Sequence, residues 1–192
     1  MLAWCYYRDK SLPRNDWEDG FVKNAKYAVT LEEDIPEHYN TLAAYYSSVG
    51  NSDLAIENYK RGLQFCQNKD EKSLFYSNLA VEYINIKKYD KAEEYINSSL
   101  KIDKNNAFEW YTYGNLMTTQ TKYLKAIEYF KQALSKAKME NELQGDLYYK
   151  YAYCSKETGN CQDAREYINK ALDIEPNNND YQALYKNIVK CK

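Results

Sequence analysis

Few side chains in this 192-residue chain are of the types that do covalent or metal chemistry. His38 is the only histidine. It follows the run Asp34-Ile35-Pro36-Glu37, a helix-start signal with a proline suited to the first turn and an acid complementing the helix dipole. A histidine there is solvated, and a Ser–His–Asp or Cys–His site would need it on a face that a helix terminus does not offer. One histidine with scattered cysteines makes no zinc set. There is no glycine-rich phosphate loop. The acids, as in Glu32-Glu33-Asp34 and Glu93-Glu94, sit at helix-surface positions and single out no pair for acid–base work. The expectation is a chain that is not an enzyme, with no cofactor and no metal.

Five cysteines occur, at Cys5, Cys66, Cys154, Cys161 and Cys191. An odd number without regular spacing is not a disulfide framework, and there is no C-x-x-C. Reduced thiols in a cytosol-like compartment are expected. Cys154 and Cys161 flank one inter-helix turn and form the pair that could approach. The net charge is −2, with acids and bases nearly equal, and no basic stripe of a nucleic-acid binder stands out. No apolar run approaches the roughly 18 residues of a membrane span. The start, MLAWCYYRDK, lacks the layout of a secretory signal. The expected setting is cytoplasmic, with a periplasmic or secreted one open if a signal has been removed from the chain.

Side chains of these kinds act only where helices place them, and the helical pattern is strong. Residues Ala107–Leu134 read AFEWYTYGNLMTTQTKYLKAIEYFKQAL. Trp110, Tyr113, Gly114 and Met117 form one amphipathic stripe, and Tyr123, Ala126, Ile127, Phe130, Ala133 and Leu134 form a second. Gly114, Ala126 and Ala133 stand where large residues would be expected, so the spacing predicts a tight helix hairpin. The unit recurs. An opening aromatic and a later small residue pair as Trp4/Gly20, Tyr39/Ala55, Tyr76/Ala92, Trp110/Ala126 and Tyr148/Ala164, always sixteen residues apart. The step between units is 35, 37, 34 and 38 residues. A fixed interval inside a unit and a variable one between units predict that extra residues fall in connecting loops, at Gln67–Lys72 and Lys138–Gln144. Many of the 22 tyrosines fall at core positions of the repeat, where a ring fills volume and its hydroxyl reaches the edge.

The pattern resembles the tetratricopeptide repeat, W-x2-L-G-x2-Y…A-x3-F…P with a period near 34 residues. Residues 73–106 supply Tyr76, Leu79, Ala80, Tyr83, Tyr89, Ala92, Ile96 and Leu100. Residues 36–69 supply Tyr39, Leu42, Ala43, Tyr46, Gly50, Ala55, Tyr59 and Gly62. Residues 145–178 supply Tyr148, Tyr151, Ala152, Gly159, Ala164, Ile168, Ala171 and Pro176. The closing proline is present only at Pro176. The resemblance implies an all-α fold, a right-handed superhelical solenoid of such hairpins with a C-terminal capping helix. Residues 1–192 read as a single array. It comprises a degenerate first repeat (1–34), regular repeats at 36–69, 73–106, 107–140 and 145–178, and a cap at 180–190. Within the degenerate repeat, Trp4 and Tyr7 lie on a first helix ended early by Pro13, and Asn15-Asp16-Trp17-Glu18 opens a second. Tyr181, Leu184, Tyr185 and Ile188 form the apolar stripe of the cap.

In such a solenoid the first helix of each pair lines the concave side. The residues left on that side are Asn40, Thr41 and Ala44; Ser77, Asn78 and Val81; Phe108, Tyr111, Thr112 and Asn115; and Tyr149, Lys150 and Tyr153. The peptide-binding set is expected at Asn78, Phe108, Tyr111, Asn115, Tyr149, Lys150 and Tyr153. Asparagine both donates to and accepts from a main chain, and tyrosine gives contact area at low entropy cost. The groove of this family that grips chaperone-tail carboxylates needs lysines, asparagines and an arginine at set places. Here only Asn78 matches, while Asn40, Ala44, Phe108 and Thr112 stand at the others. The expected function is a non-catalytic scaffold or adaptor that holds a partner peptide or helix in its concave groove. The alternatives are a dedicated chaperone for an apolar export or assembly client, and the sensor part of a peptide-gated regulator.

Overall fold

The computed structural model of the chain describes residues 15–136 and 141–191, excepting the side chains at 15–19, 21, 141 and 142. Among these residues all regular structure is α-helical. The chain forms two compact units, one within Met1–Ile102 and the other within Asp103–Lys192. The first unit holds α1 (Asn15–Leu31), α2 (Pro36–Ser48), α3 (Ser52–Leu63), α4 (Lys69–Asn85) and α5 (Tyr89–Ile102). The second holds α6 (Ala107–Thr119), α7 (Tyr123–Lys136), α8 (Asn141–Glu157), α9 (Cys161–Ile174) and α10 (Asn179–Ile188). The expected helix start at Asn15 is α1, whereas Trp4, Tyr7 and Pro13 lie outside the described residues. Helix α2 opens on Pro36 with Glu37 in its first turn, as the signal at 34–37 predicts.

The four inter-helix turns are built alike. Gly50 (φ +76°), Lys87 (+60°), Thr121 (+58°) and Gly159 (+79°) stand eleven residues after their opening aromatics and adopt the left-handed backbone. One residue later, the amides of Asn51, Lys88, Lys122 and Asn160 donate to the carbonyls of Tyr46, Tyr83, Met117 and Ser155, at 2.8–2.9 Å. This bond satisfies carbonyls that the helix end would leave open. A β-branched threonine strains in that backbone, whereas glycine does not.

The small residues sit where the repeat requires. Ala55, Ala92, Ala126 and Ala164 are each 0% exposed. Gly114 admits the Phe130 ring so closely that a Cβ there would lie 2.2 Å from Cε1. Tyrosines fill the space between the paired helices: Tyr113 stacks on Tyr129 with centroids 4.4 Å apart, and Tyr151 on Tyr167 at 3.9 Å. Their hydroxyls find edge partners where burial demands it, as when Tyr39 donates to the Glu33 carbonyl at 3.0 Å.

Three expectations need correction. The residues between units do not all form loops: α4 already begins at Lys69 and α8 at Asn141, so both are 17 residues long where α2 and α6 have 13. For α4 the reason is a cap. Asn68 accepts from the Glu71 amide at 2.9 Å while the Glu71 carboxylate accepts from the Gln67 amide at 2.7 Å, which starts the helix a turn early. In the cap, Tyr181, Leu184 and Ile188 are buried but Tyr185 is 40% exposed, because it lies off the stripe that α8 and α9 cover. The cysteines also differ from expectation. Cys161 is bonded to Cys191, with Cα atoms 5.8 Å apart, while Cys154 is a buried free thiol 3.3 Å from Thr118 Oγ1. Cys154 faces α6, away from the turn it shares with Cys161.

Candidate functional site

The second unit gathers most of the expected binding residues on α6 and α8. Phe108, Tyr111 and Asn115 follow one another at three and four residues along α6, and on α8 Tyr153 stands four residues after Tyr149 and three after Lys150. All six are half-buried. Tyr111 links the two helices by donating its hydroxyl to the Asp146 carboxylate. Its ring lies 6.0 Å from Phe108 and 6.2 Å from Phe130. Burial, with the neighbouring Asp146 charge and the hydrogen bond to it, holds the Tyr111 phenol above the usual tyrosine range, and a hydrogen bond from Asn115 opposes this. The Oδ1 of Asn115 is buried without a hydrogen-bond partner. The set therefore places the Asp146 carboxylate, which already accepts from Tyr111, beside aromatic walls, while the Asn115 amide oxygen is closed off from the surface.

The remaining α8 residues are held by their neighbours. Tyr149 stacks on Tyr181 of α10 at 5.1 Å, and burial followed by the charges of Asp180 and Asp146 raises its phenol. Lys150 Nζ lies 5.9 Å from the Tyr149 ring centre. Tyr153 meets Tyr123 edge-on at 6.0 Å, and its hydrogen bond with Tyr123, together with burial, pushes its phenol up to about 12.

Asn78 belongs to the first unit, where its Nδ2 donates to Asn40 Oδ1 at 3.0 Å across α4 and α2. That bond uses part of the amide expected to meet a ligand main chain. Two residues assigned to the inward side are instead buried. Ser77 is 4% exposed and Thr112 1%, and each donates back to the carbonyl four residues earlier. Short hydroxyl side chains can turn into the helix in this way.

Sequence reasoning missed Asp146 and Glu82. Asp146 stands three residues before Tyr149 and four before Lys150, so its place on that face was readable from spacing. Glu82 is 2% exposed, accepts from Ser47 Oγ through one carboxylate oxygen, and has no partner for the other. It lies on the buried side of α4 with Leu79 and Tyr83, where an acid is not anticipated. His38 stands at the α2 start with its Nε2 2.9 Å from Glu32 Oε2. Among the described residues, no group of three or more histidines, cysteines or acids is placed to hold a metal. No described helix is long and apolar enough to cross a membrane.

Family models described as tetratricopeptide repeat match residues 74–106 and 118–188. A TPR repeat-containing protein of Methanocaldococcus jannaschii is 32% identical over 152 residues, covering 78% of this chain and 25% of that protein. The chain thus spans about a quarter of the length of this relative. The solved APC/C hetero-tetramer Cut9-Hcn1 contains a chain that aligns with a TM-score of 0.79 at 16% identity, over 89% of this chain and 33% of that one. YrrB, a TPR protein with an unusual peptide-binding site, aligns with a TM-score of 0.60 at 15% identity, over 88% and 84%. At these identities the solved structures speak for the fold alone. The repeated hairpins, the buried alanines at their equivalent positions and both matched segments make one family of it: the chain belongs to the tetratricopeptide-repeat proteins.

Proposed function

We propose that this protein is a non-catalytic adaptor whose α6–α8 face holds an extended segment of a partner protein. The observation that carries this reading is the half-buried aromatic set Phe108, Tyr111, Tyr149 and Tyr153, with the Asp146 carboxylate beside Tyr111. The N–H groups of an extended main chain are donors for the Asp146 carboxylate, and Phe108, Tyr149 and Tyr153 supply apolar contact beside it. The solved structures of this fold add support at that level, since one assembles with a second protein and another has a peptide-binding site. The α6–α8 face has no cluster of cationic donors, with Lys150 the one lysine among the residues named on it, so a partner gripped by its terminal carboxylate is not the reading favoured. An apolar-client chaperone draws less support. The large exposed apolar residues, among them Leu31, Leu74 and Leu124, stand on three different helices. The setting is an aqueous compartment, the cytoplasm if the cysteines are reduced in the cell and an oxidising one if the cystine is closed.

The test is partner capture by surface variants. Phe108→Ala combined with Tyr153→Ala should reduce capture of the partner at least tenfold. Leu124→Ala, at a 70% exposed position on α7, should leave it unchanged. Undiminished capture by the double variant, with an unchanged far-UV spectrum, would overturn this assignment.

A further inference from the structure

The Cys161–Cys191 bond joins two places that the hairpin order brings together. Cys161 is the first residue of α9, and Cys191 follows the end of α10. The connection between these helices is short, so α10 returns alongside α9 and its far end meets the start of α9. The bond closes a span of 30 residues and holds α10 at the end opposite its covalent connection. Arg165 Nη2 donates to the Cys191 carbonyl at 2.7 Å at the same place.

Helix α10 is a conditional element. Ten residues are too few to form a stable helix alone in water. It persists by packing Tyr181, Leu184 and Ile188 against Ala152, Ala164, Ile168 and Ala171. Tyr185 on its outer side and Val189 just past its end are 40% and 55% exposed and add little to that hold. Through Tyr181 it also covers one side of Tyr149. Thiol chemistry elsewhere among the described residues is suppressed. Cys66 and Cys154 are buried, and burial raises both thiols, Cys66 to about 11. Only the thiolate exchanges with disulfides, so among the described residues exchange is directed to the Cys161–Cys191 pair.

We propose that the Cys161–Cys191 bond is a redox latch: oxidised, it keeps α10 docked on α8 and α9, and opened by a dithiol reductant, it releases α10 and uncovers Tyr149. In the opening step a reductant thiolate attacks one sulfur of the cystine. The other sulfur leaves as a thiolate and takes a proton. The second reductant thiol then displaces the mixed disulfide. Two cysteine thiols and one oxidised dithiol result, so two electrons and two protons have passed to the protein. The latch stands on the geometry of α9 and α10. Only its effect on partner binding rests on the α6–α8 reading.

Amide hydrogen exchange of the full chain, with and without dithiothreitol, tests it. The amides of residues 181–188 should exchange at least tenfold faster in the reduced protein, with α6 and α7 unchanged. The pair Cys161→Ser and Cys191→Ser should exchange fast in both conditions, and Cys154→Ser should keep the response. Equal exchange of α10 in oxidised and reduced wild-type protein would overturn the latch. So would peptide mapping of air-oxidised protein that finds no Cys161–Cys191 cross-link. A latch that opens without altering partner capture would refute the link to Tyr149 while leaving the latch itself standing.

Discussion

Ser47 of α2 and Thr118 of α6 occupy the same place in their repeats, eight residues after the opening aromatic. Each reaches the residue six after the opening aromatic of the next repeat, which is Glu82 in the first unit and Cys154 in the second. One backbone frame therefore carries a hydroxyl bonded to a buried carboxylate in one place and a hydroxyl beside a buried thiol in the other. Asn40 and Tyr111 make a similar pair, one residue after their opening aromatics. Asn40 meets Asn78, while the longer tyrosine reaches Asp146, an acid four positions earlier in its repeat. The frame is set by alanines, glycines and turn residues that the two units share. What each surface offers is set by two or three polar positions that they do not. A buried carboxylate with one oxygen unmatched is costly to keep, and Ser47 offsets only part of that cost. The thiol carries no such burden.

The largest expected effect breaks the symmetry outright. In air-equilibrated buffer without reductant, Cys161→Ser should destabilise the second unit by about 3–4 kcal/mol, from the entropy of closing a 30-residue span. The first unit, with no cystine among its described residues, should keep its exchange protection. Equal loss of protection in both would show that the units do not respond separately. Next, Ser47→Ala should cost about 2 kcal/mol by leaving Glu82 without its hydroxyl donor. Thr118→Val should cost less than about 1 kcal/mol, because a thiol is a weak partner. Urea denaturation that returns equal costs would remove the contrast between charged and neutral registers.

A smaller effect tests how ring size and backbone spacing are matched. Gly114→Ala should cost about 1–2 kcal/mol, since the added Cβ meets Phe130. Two of the equivalent positions hold Ala80 and Ala152, opposite Ile96 and Ile168, and the third holds Ala43, opposite Tyr59. Adding Phe130→Ile should therefore recover part of the loss, and a thermal double-mutant cycle with no coupling would argue against a matched pair. The smallest effect is a gain. Thr121→Gly relieves a β-branched residue at φ +58° and should stabilise by about 0.5 kcal/mol after the added entropy of glycine in the unfolded chain. Gly50 already has that relief in the first unit, so a lowered midpoint for Thr121→Gly would mean that the four turns are not equivalent.

Much of the fold was legible because its determinants are local. The sixteen-residue interval between aromatic and alanine marks one turn, and the alanines it picks out are all fully buried. The extra turns of α4 and α8 lie outside the apolar stripes, because residues 69–72 are all polar and Leu143 is the single apolar residue at 141–144. The Asn68–Glu71 cap was nevertheless a signal for the first of them. Of the binding residues, those on α6 and α8 share faces as their spacing requires. That Asn78 is engaged by Asn40, and that Thr112 turns inward, depended on neighbours the spacing does not name.

Taken alone, the order of residues determined the hairpins, their turns and the places where helices come close, since each follows from side chains within about one period of one another. Folding decided which polar groups meet. Asn40–Asn78, Ser47–Glu82, Tyr111–Asp146 and Thr118–Cys154 join residues 35–38 apart, and Cys161–Cys191 joins residues 30 apart. Connectors of different length shift each repeat against the next, so a contact between repeats is fixed by how the helices pack and by the reach of each side chain.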